Sequence, residues 1–254
     1  MEKIQDIILG IDMKSFLKDL KVSNPEILEE ATRYFGEKEA LARSEILRGY
    51  FGEEGINTII EATAKELRVF QEGSNILDVG AGTGFFTIAI KRRLDKQLNF
   101  YAMDLTPAML LAGLEDMQRD RIVPFLGAIE KIKESTKLSN LYYERLKVRI
   151  PSIYQGIISI LALHHCEDID KVFKSLHSVM DREASCIIID LCEHPFTEFR
   201  EKMGDIHLGF NLDWIKEKAA GVFREVKVKR LRGASFPVRS FLLRFELAAI
   251  VSAS

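Results

Sequence analysis

Cysteine is scarce in this chain of 254 residues, and the three present, Cys166, Cys186 and Cys192, are an odd number with no CxxC pair. That excludes a disulfide scaffold and leads us to expect reduced thiols in a cytoplasmic setting. Cys186, Cys192 and His194 carry zinc-ligating atoms, but their spacing matches no common zinc pattern, so no metal is expected. Long hydrophobic runs are also missing. The opening MEKIQDIILGIDMKSFLKDL has no uninterrupted apolar core of signal-peptide length, and the apolar C-terminal stretch is broken by Arg244 and Glu246. No membrane association is therefore expected. Nor is there an excess of charge of one sign. The formal net charge of -2 argues against nucleic acid as a partner, although a local basic patch stays compatible with it. No internal repeat or low-complexity segment is visible.

The chain has room for one generous domain, or one domain and a small cap. With 47% hydrophobic and 29% charged residues it reads as an ordinary globular protein. Residues 1–70 read as a helical N-terminal cap. Asn24-Pro25 is a helix-start signal, with Pro25 at the first helical position. Ile27, Leu28, Ala31 and Tyr34 then share a face. Leu41, Ile46, Leu47 and Tyr50 mark a second segment, and Ile56 to Leu67 a third.

From residue 71 to residue 254 short apolar runs alternate with helical segments, the pattern of βαβ units and a doubly wound parallel α/β sheet. Strands are expected at Ile76–Val79, Phe100–Met103, Ile122–Leu126, Ile157–Leu163 and Cys186–Leu191. A closing pair at Val222–Leu231 and Phe241–Ala248 brings the count to seven. Helices are expected after the glycine-rich turn to about Leu94, and at Pro107–Met117, Ile169–Met180 and Leu212–Ala220. The near-continuous apolar character of Ile157–Leu163 implies burial on both faces.

Asp78-Val79-Gly80-Ala81-Gly82-Thr83-Gly84 joins the first strand to the following helix. Glycines here permit positive φ and close approach of a ligand, and the helix start favours an anion. In S-adenosylmethionine that anion is the methionine carboxylate, while Asp78 engages the ammonium directly or through water. Asp104 ends the second strand, 20 residues beyond Gly84, where a carboxylate accepts hydrogen bonds from both ribose hydroxyls. A dinucleotide fingerprint starting at Gly80 demands glycine where Phe85 stands, so adenosylmethionine fits better than NAD or a flavin.

Asn75 to Ile90, NILDVGAGTGFFTIAI, resembles the first motif of the class I S-adenosylmethionine-dependent methyltransferases, and YAMDLTPAML the second. QGIISILALHHCEDIDKVFKSLHSVM is similar to the segment around their fourth strand. DLCEHPFTEFREKMGDIHLGF with DWIKEKAAGVFREVKV resembles a subset near the quinone-biosynthesis and ArsR-fused methyltransferases. The resemblance covers about Asn75 to Val228; the first 70 residues carry no comparable motif. It implies a Rossmann-like seven-stranded sheet and a cofactor site built from Asp78, Gly80, Ala81, Gly82, Thr83, Gly84, Asp104, Leu105, Met109, Gly127, Ala128 and Leu161. Two departures stand out. Family members carry Gly-Asp after the third strand, its carboxylate taking the adenine amino group. Here Gly127-Ala128 leaves that contact to backbone groups or to Glu130. The connection Lys131–Ser152 is also long, with Tyr142, Tyr143 and Leu146 suggesting an extra helix near the pocket.

Methyl transfer from a sulfonium asks the protein mainly for in-line positioning and exclusion of water. A base is needed only where the acceptor must lose a proton. His164 and His165 follow the fourth strand at the carboxyl edge and are candidates to accept that proton; one of them alternatively just caps the turn. His207 is the alternative base, on a charged loop with His194, Arg200, Glu201 and Asp205 that either folds over the site or forms a solvated amphipathic helix. Tyr34 and Tyr50 are weaker candidates. Two function classes follow. One is an enzyme methylating a small or medium-sized acceptor. The other is a non-catalytic module that binds adenosylmethionine or a protein partner. The sequence leaves the oligomeric state open, a homodimer included.

Overall fold

The computed structural model describes residues 3–22, 26, 33–237 and 244–253, with side chains as far as residue 231. The start signal at Asn24-Pro25 and the face of Ile27, Leu28 and Ala31 lie outside the described residues, as do the first residues of the expected last strand.

Two short helices, α1 (Ile4–Gly10) and α2 (Met13–Leu20), precede a long one, α3 (Glu37–Leu67). The two segments expected in α3 run end to end and are separated by a kink at Gly52, whose φ of 62° is costly for other residues. Beyond it come β1 (Asn75–Val79), α4 (Phe85–Arg93), β2 (Asn99–Asp104), α5 (Pro107–Ala112), α6 (Leu114–Arg119) and β3 (Ile122–Leu126). The helix expected over Pro107–Met117 is thus two. Gly113 interrupts it where the chain passes so close to the Thr83 carbonyl that no side chain fits.

The extra helix expected in the long connection is α7 (Ile132–Tyr143), closed by a 3-10 turn at Glu144–Leu146. Then follow β4 (Tyr154–Ile160), α8 (Ile169–His177), β5 (Met180–Leu191), α9 (Glu198–Met203), α10 (Leu212–Ala220), β6 (Glu225–Pro237) and β7 (Arg244–Ala253). Several boundaries differ from expectation: β6 starts at Glu225 rather than Val222 and runs on to Pro237, β7 runs on to Ala253, and two shifts have a clear cause. Met180 belongs to β5, paired with Tyr154, because a turn closed by Val179 N–H on the Leu176 carbonyl ends α8. At the other end of β4, Leu161 takes φ 56° and stops the strand before Leu163.

Five strands pair in parallel in the order β3-β2-β1-β4-β5, and β7 then β6 continue the sheet as an antiparallel pair at the β5 edge. Both faces are covered, so successive residues of one strand enter different cores. Ile76, Ile158 and Ile187 meet Ile59, Ala64 and Leu67 of α3 on one side. Leu77, Ile157 and Ile188 meet Val172, Phe173 and Leu176 of α8 on the other. Continuous apolar runs are what this two-sided burial demands, and truncating such an isoleucine to alanine costs about 2–5 kcal/mol. No helix among the described residues is long and apolar enough to cross a membrane.

Candidate active site

The glycine turn leaves β1 at the carboxyl edge of the sheet. A Cβ at Gly80, where φ is 74°, would collide with Ala162 beyond β4; at Gly82, with φ 57°, a Cβ would meet no atom and enter open space. The turn's amides are not left pointing outward as its sequence suggests. Gly80 and Ala81 N–H donate to the Met103 carbonyl at 2.9 and 3.0 Å, and Gly82 N–H to Asp104 Oδ2 at 2.7 Å. Asp104 Oδ1 accepts from Thr106 N–H at 2.8 Å. A carboxylate has about four acceptor positions, so Asp104 retains capacity for a ligand.

A cavity of about 120 Å³ opens at this edge, and Gly80, Gly82, Asp104, Leu105, Met109, Gly127 and Leu161 line it together. Of the remaining expected cofactor residues, Asp78, Ala81, Thr83, Gly84 and Ala128 are not in its wall. Asp78 is buried behind the turn, accepting from the Thr87 hydroxyl at 2.5 Å. Burial, with Asp104 adding repulsion, pushes its carboxyl up to about 7 against the Thr87 bond. Ala128 turns its N–H to the Ser135 hydroxyl at 3.0 Å.

The wall also contains residues not marked from the sequence, among them Phe35, Arg43, Ile129 and Cys166. Arg43 sits on the face that carries Ala40, Leu47 and Tyr50 at helical spacing, and a cation on an apolar stripe was the available signal. Its guanidinium acts on both Asp104 and Asp205. Glu130, the substitute proposed for the missing aspartate, does line the cavity. Its Oε2 is buried with no hydrogen-bond partner, and burial raises its carboxyl.

A narrower cavity of about 40 Å³ adjoins the first through Arg43, Leu161 and His165. Ile46, Leu47, Phe51, Leu191, Phe199 and Met203 make it apolar, while Tyr50, His164 and Asp205 add polar groups. Phe199 and Met203 of α9 line this cavity while Arg200 and Glu201 of the same helix are exposed, so the charged segment is a solvated helix whose apolar side borders the cavity. Leu161, between the two cavities, is a non-glycine residue held at positive φ, and such strain concentrates at functional sites.

His164 Nδ1 lies 2.6 Å from Asp190 Oδ1, itself fixed by Leu191 N–H at 2.7 Å, with Leu163 N–H on Oδ2 at 2.9 Å. Burial opposes a charge on His164, but Asp190 and Asp205 outweigh it and hold its pKa above the ordinary value. His165 Nδ1 faces the Gly204 carbonyl at 3.2 Å, and burial beside His164 keeps this imidazole neutral. His207 is elsewhere. Its backbone N–H donates to the His164 carbonyl at 2.9 Å, but its ring packs on Phe210 and Trp214 and lines a separate outer pocket with Glu167 and Lys218. Asp205 is 4% exposed, and neither carboxylate oxygen has a hydrogen-bond partner.

Residues 77–186 match the family model described as a methyltransferase domain. That stretch runs from β1 into β5 and contains the turn, Asp104 and both imidazoles. Over that stretch the chain is similar to methyltransferase domains. Solved structures show the same fold for it. Haemonchus contortus phosphoethanolamine N-methyltransferase 2, in complex with phosphomonomethylethanolamine and S-adenosylhomocysteine, is 16% identical with a TM-score of 0.59, over 77% of this chain and 52% of that one. This chain thus spans about half the length of the Haemonchus enzyme. A putative methyltransferase from Haloferax volcanii, in complex with the activator Trm112, aligns over 86% of this chain and 97% of its own at 11% identity and a TM-score of 0.60. The [4+2]-cyclase SpnF aligns over 86% and 94% at 10% identity and a TM-score of 0.61. No curated protein matches the sequence. With a cyclase among these structural neighbours, the fold does not choose the reaction.

Proposed function

We propose that this chain is an enzyme that transfers the methyl group of S-adenosylmethionine, in line, to a small or medium-sized acceptor. The observation that carries this reading is the adjacency of the two cavities: the glycine turn and Asp104 border one, and a mostly apolar chamber shares Arg43, Leu161 and His165 with it. The methionine part lies along Gly80 to Gly84, with Asp78 supplying negative charge from behind the turn. Asp104 takes the ribose hydroxyls. Leu105, Met109, Gly127 and Ile129 sandwich the adenine, and Glu130 accepts from its amino group in place of the aspartate found in relatives. Ala128 helps only by shaping the backbone there.

The methyl then points past Leu161 into the narrow chamber. The S–CH₃ bond breaks with its electron pair on sulfur as an acceptor lone pair forms the new bond. His164 and His165 touch the acceptor; His207 supports the loop from outside. Residues 1–70 act as the cap and 71–254 as the catalytic domain, because Phe35, Arg43 and Tyr50 of the first part close the cavities of the second. The segment Asp190–Phe210, wrapped over the site, supports a place near the quinone-biosynthesis and ArsR-fused subset, and the reduced cysteines support a cytoplasmic setting.

The alternative, a non-catalytic binding module, is favoured by the altered adenine position alone. Calorimetry with S-adenosylhomocysteine, S-adenosylmethionine and NAD tests the reading. The adenosyl ligands are expected to bind and to stabilise the fold by mass action. Binding of NAD and of neither adenosyl ligand refutes it.

A further inference from the structure

Of the five histidines in the chain, two converge with a carboxylate at the floor of the narrow chamber. His164, His165 and Asp205 each present a metal-ligating atom, and these atoms lie within 4.8 Å of one another. Three details go beyond a chance cluster. His164 gives its Nδ1 side to Asp190, leaving Nε2 facing Asp205 Oδ1 across 3.8 Å, too far for a hydrogen bond. An ion about 2.0–2.2 Å from each atom fits that gap. Metal-ligating histidines characteristically pass their second nitrogen to a carboxylate or a backbone carbonyl. His164 does the first on Asp190, while His165 holds its Nδ1 3.2 Å from the Gly204 carbonyl and 3.9 Å from Asp205 Oδ1. Finally, both Asp205 oxygens are buried without a hydrogen-bond partner, the two imidazoles standing 3.8 and 3.9 Å away, a costly arrangement for a carboxylate serving no ligand.

We propose that His164, His165 and Asp205 form a site for a divalent transition-metal cation of the zinc type, whose open position takes an oxygen or nitrogen atom of the methyl acceptor. Two imidazoles and one carboxylate select zinc, iron or nickel over magnesium or calcium. Three protein ligands with a fourth position open is the arrangement of catalytic zinc. The charges agree: Asp104, Asp190 and Asp205 surround the floor, opposed by Arg43 and, on the loop, Arg200. In its role this inference rests on the methyl-transfer reading. The ion lowers the pKa of a bound hydroxyl, whose proton leaves to water. The freed lone pair then attacks the methyl carbon while the S–CH₃ electrons stay on sulfur.

The test uses the full chain, stripped with a chelator and titrated with Zn²⁺ by calorimetry, alone and with S-adenosylhomocysteine. One equivalent of zinc is expected. Asp205→Asn and His165→Gln each weaken binding at least tenfold, Asp190→Asn weakens it by about 10–100-fold as a ligand-orienting partner, and His177→Gln leaves it unchanged. Where Asp205→Asn does not fold, judged by circular dichroism, the less buried His165→Gln carries the comparison. Parent affinity weaker than about 0.1 mM, or zinc bound equally well by the ligand variants, overturns the site. Zinc failure with S-adenosylhomocysteine retained overturns the cation alone. Failure of S-adenosylhomocysteine overturns the methyl-transfer reading, and zinc binding is then judged by its own variants.

Discussion

Gly82 donates its backbone N–H to Asp104 Oδ2 at 2.7 Å, so the glycine turn after β1 and the carboxylate ending β2 are held as one piece. Under the proposed assignment, the residue that takes the ribose hydroxyls also sets the conformation of the loop that follows the methionine part. Asp104→Ala therefore removes a ligand contact and a loop anchor together. Calorimetry is expected to show S-adenosylhomocysteine binding weakened by at least the 1.5–3 kcal/mol typical of a charged hydrogen bond. Asp104→Asn, which keeps an acceptor for the Gly82 N–H, is expected to lose less. Parent-like binding by Asp104→Ala places the ribose elsewhere.

At Gly82 itself the backbone is at φ 57° and a Cβ would meet no protein atom. Gly82→Val is expected to cost the fold only about 1–2 kcal/mol of left-handed strain. Its branched side chain then occupies the cavity. The variant should melt slightly below the parent and show no detectable S-adenosylhomocysteine binding. Intact binding would mean that the ligand does not follow the turn.

Asp78 gives the site a pH dependence. Its carboxyl is pushed up to about 7 by burial, far above its ordinary 3.8. An ammonium group of the ligand favours the ionised form, so binding releases a proton whenever Asp78 begins protonated. Affinity for S-adenosylhomocysteine should rise from about pH 5 and level off above about pH 8. The unliganded chain should lose stability as pH rises from about 4 to about 7, since over that range the folded state holds a proton that the unfolded state has released. Asp78→Asn should flatten both curves, and a parent affinity independent of pH rejects the role.

Glu130 Oε2 is buried with no hydrogen-bond partner, on the side proposed for the adenine. Glu130→Ala should weaken S-adenosylhomocysteine by about 1–3 kcal/mol. The inosine analogue, which lacks the amino group, should be insensitive to the same change. Equal losses for both ligands would assign Glu130 to packing rather than to recognition.

Much of the parallel sheet was legible because each core strand is a continuous apolar run. Ile157 and Ile158 serve opposite cores, and both positions demand the same kind of residue. Errors fell where a single close contact outranks a pattern. Gly113 divides a plausible helix because it passes against Thr83, and Leu161 ends a strand that its apolar neighbours would extend. In the site, Gly80, Gly82 and Asp104 carry their meaning in local spacing. Arg43, Asp190 and Asp205 do not. Asp190 meets His164 across 26 residues and Asp205 meets it across 41, and no periodicity records such a meeting. His207, the alternative base from the sequence, packs instead on Phe210 and Trp214 at the outer pocket.

The kink at Gly52 divides α3 into stretches that answer to different selection. Residues 56–67 are bolted to the sheet through Ile56, Ile59, Ile60, Ala64 and Leu67, and substitutions there should register as lost expression or melting temperature. Arg43, Ile46, Leu47, Tyr50 and Phe51 line the narrow chamber proposed for the acceptor, and of these only Leu47 and Phe51 are also buried in the core against the sheet. A library varied at the half-buried Arg43, Ile46 and Tyr50 should therefore yield folded proteins of differing specificity, and one varied at the buried Leu47 and Phe51 and over 56–67 mostly proteins that do not fold.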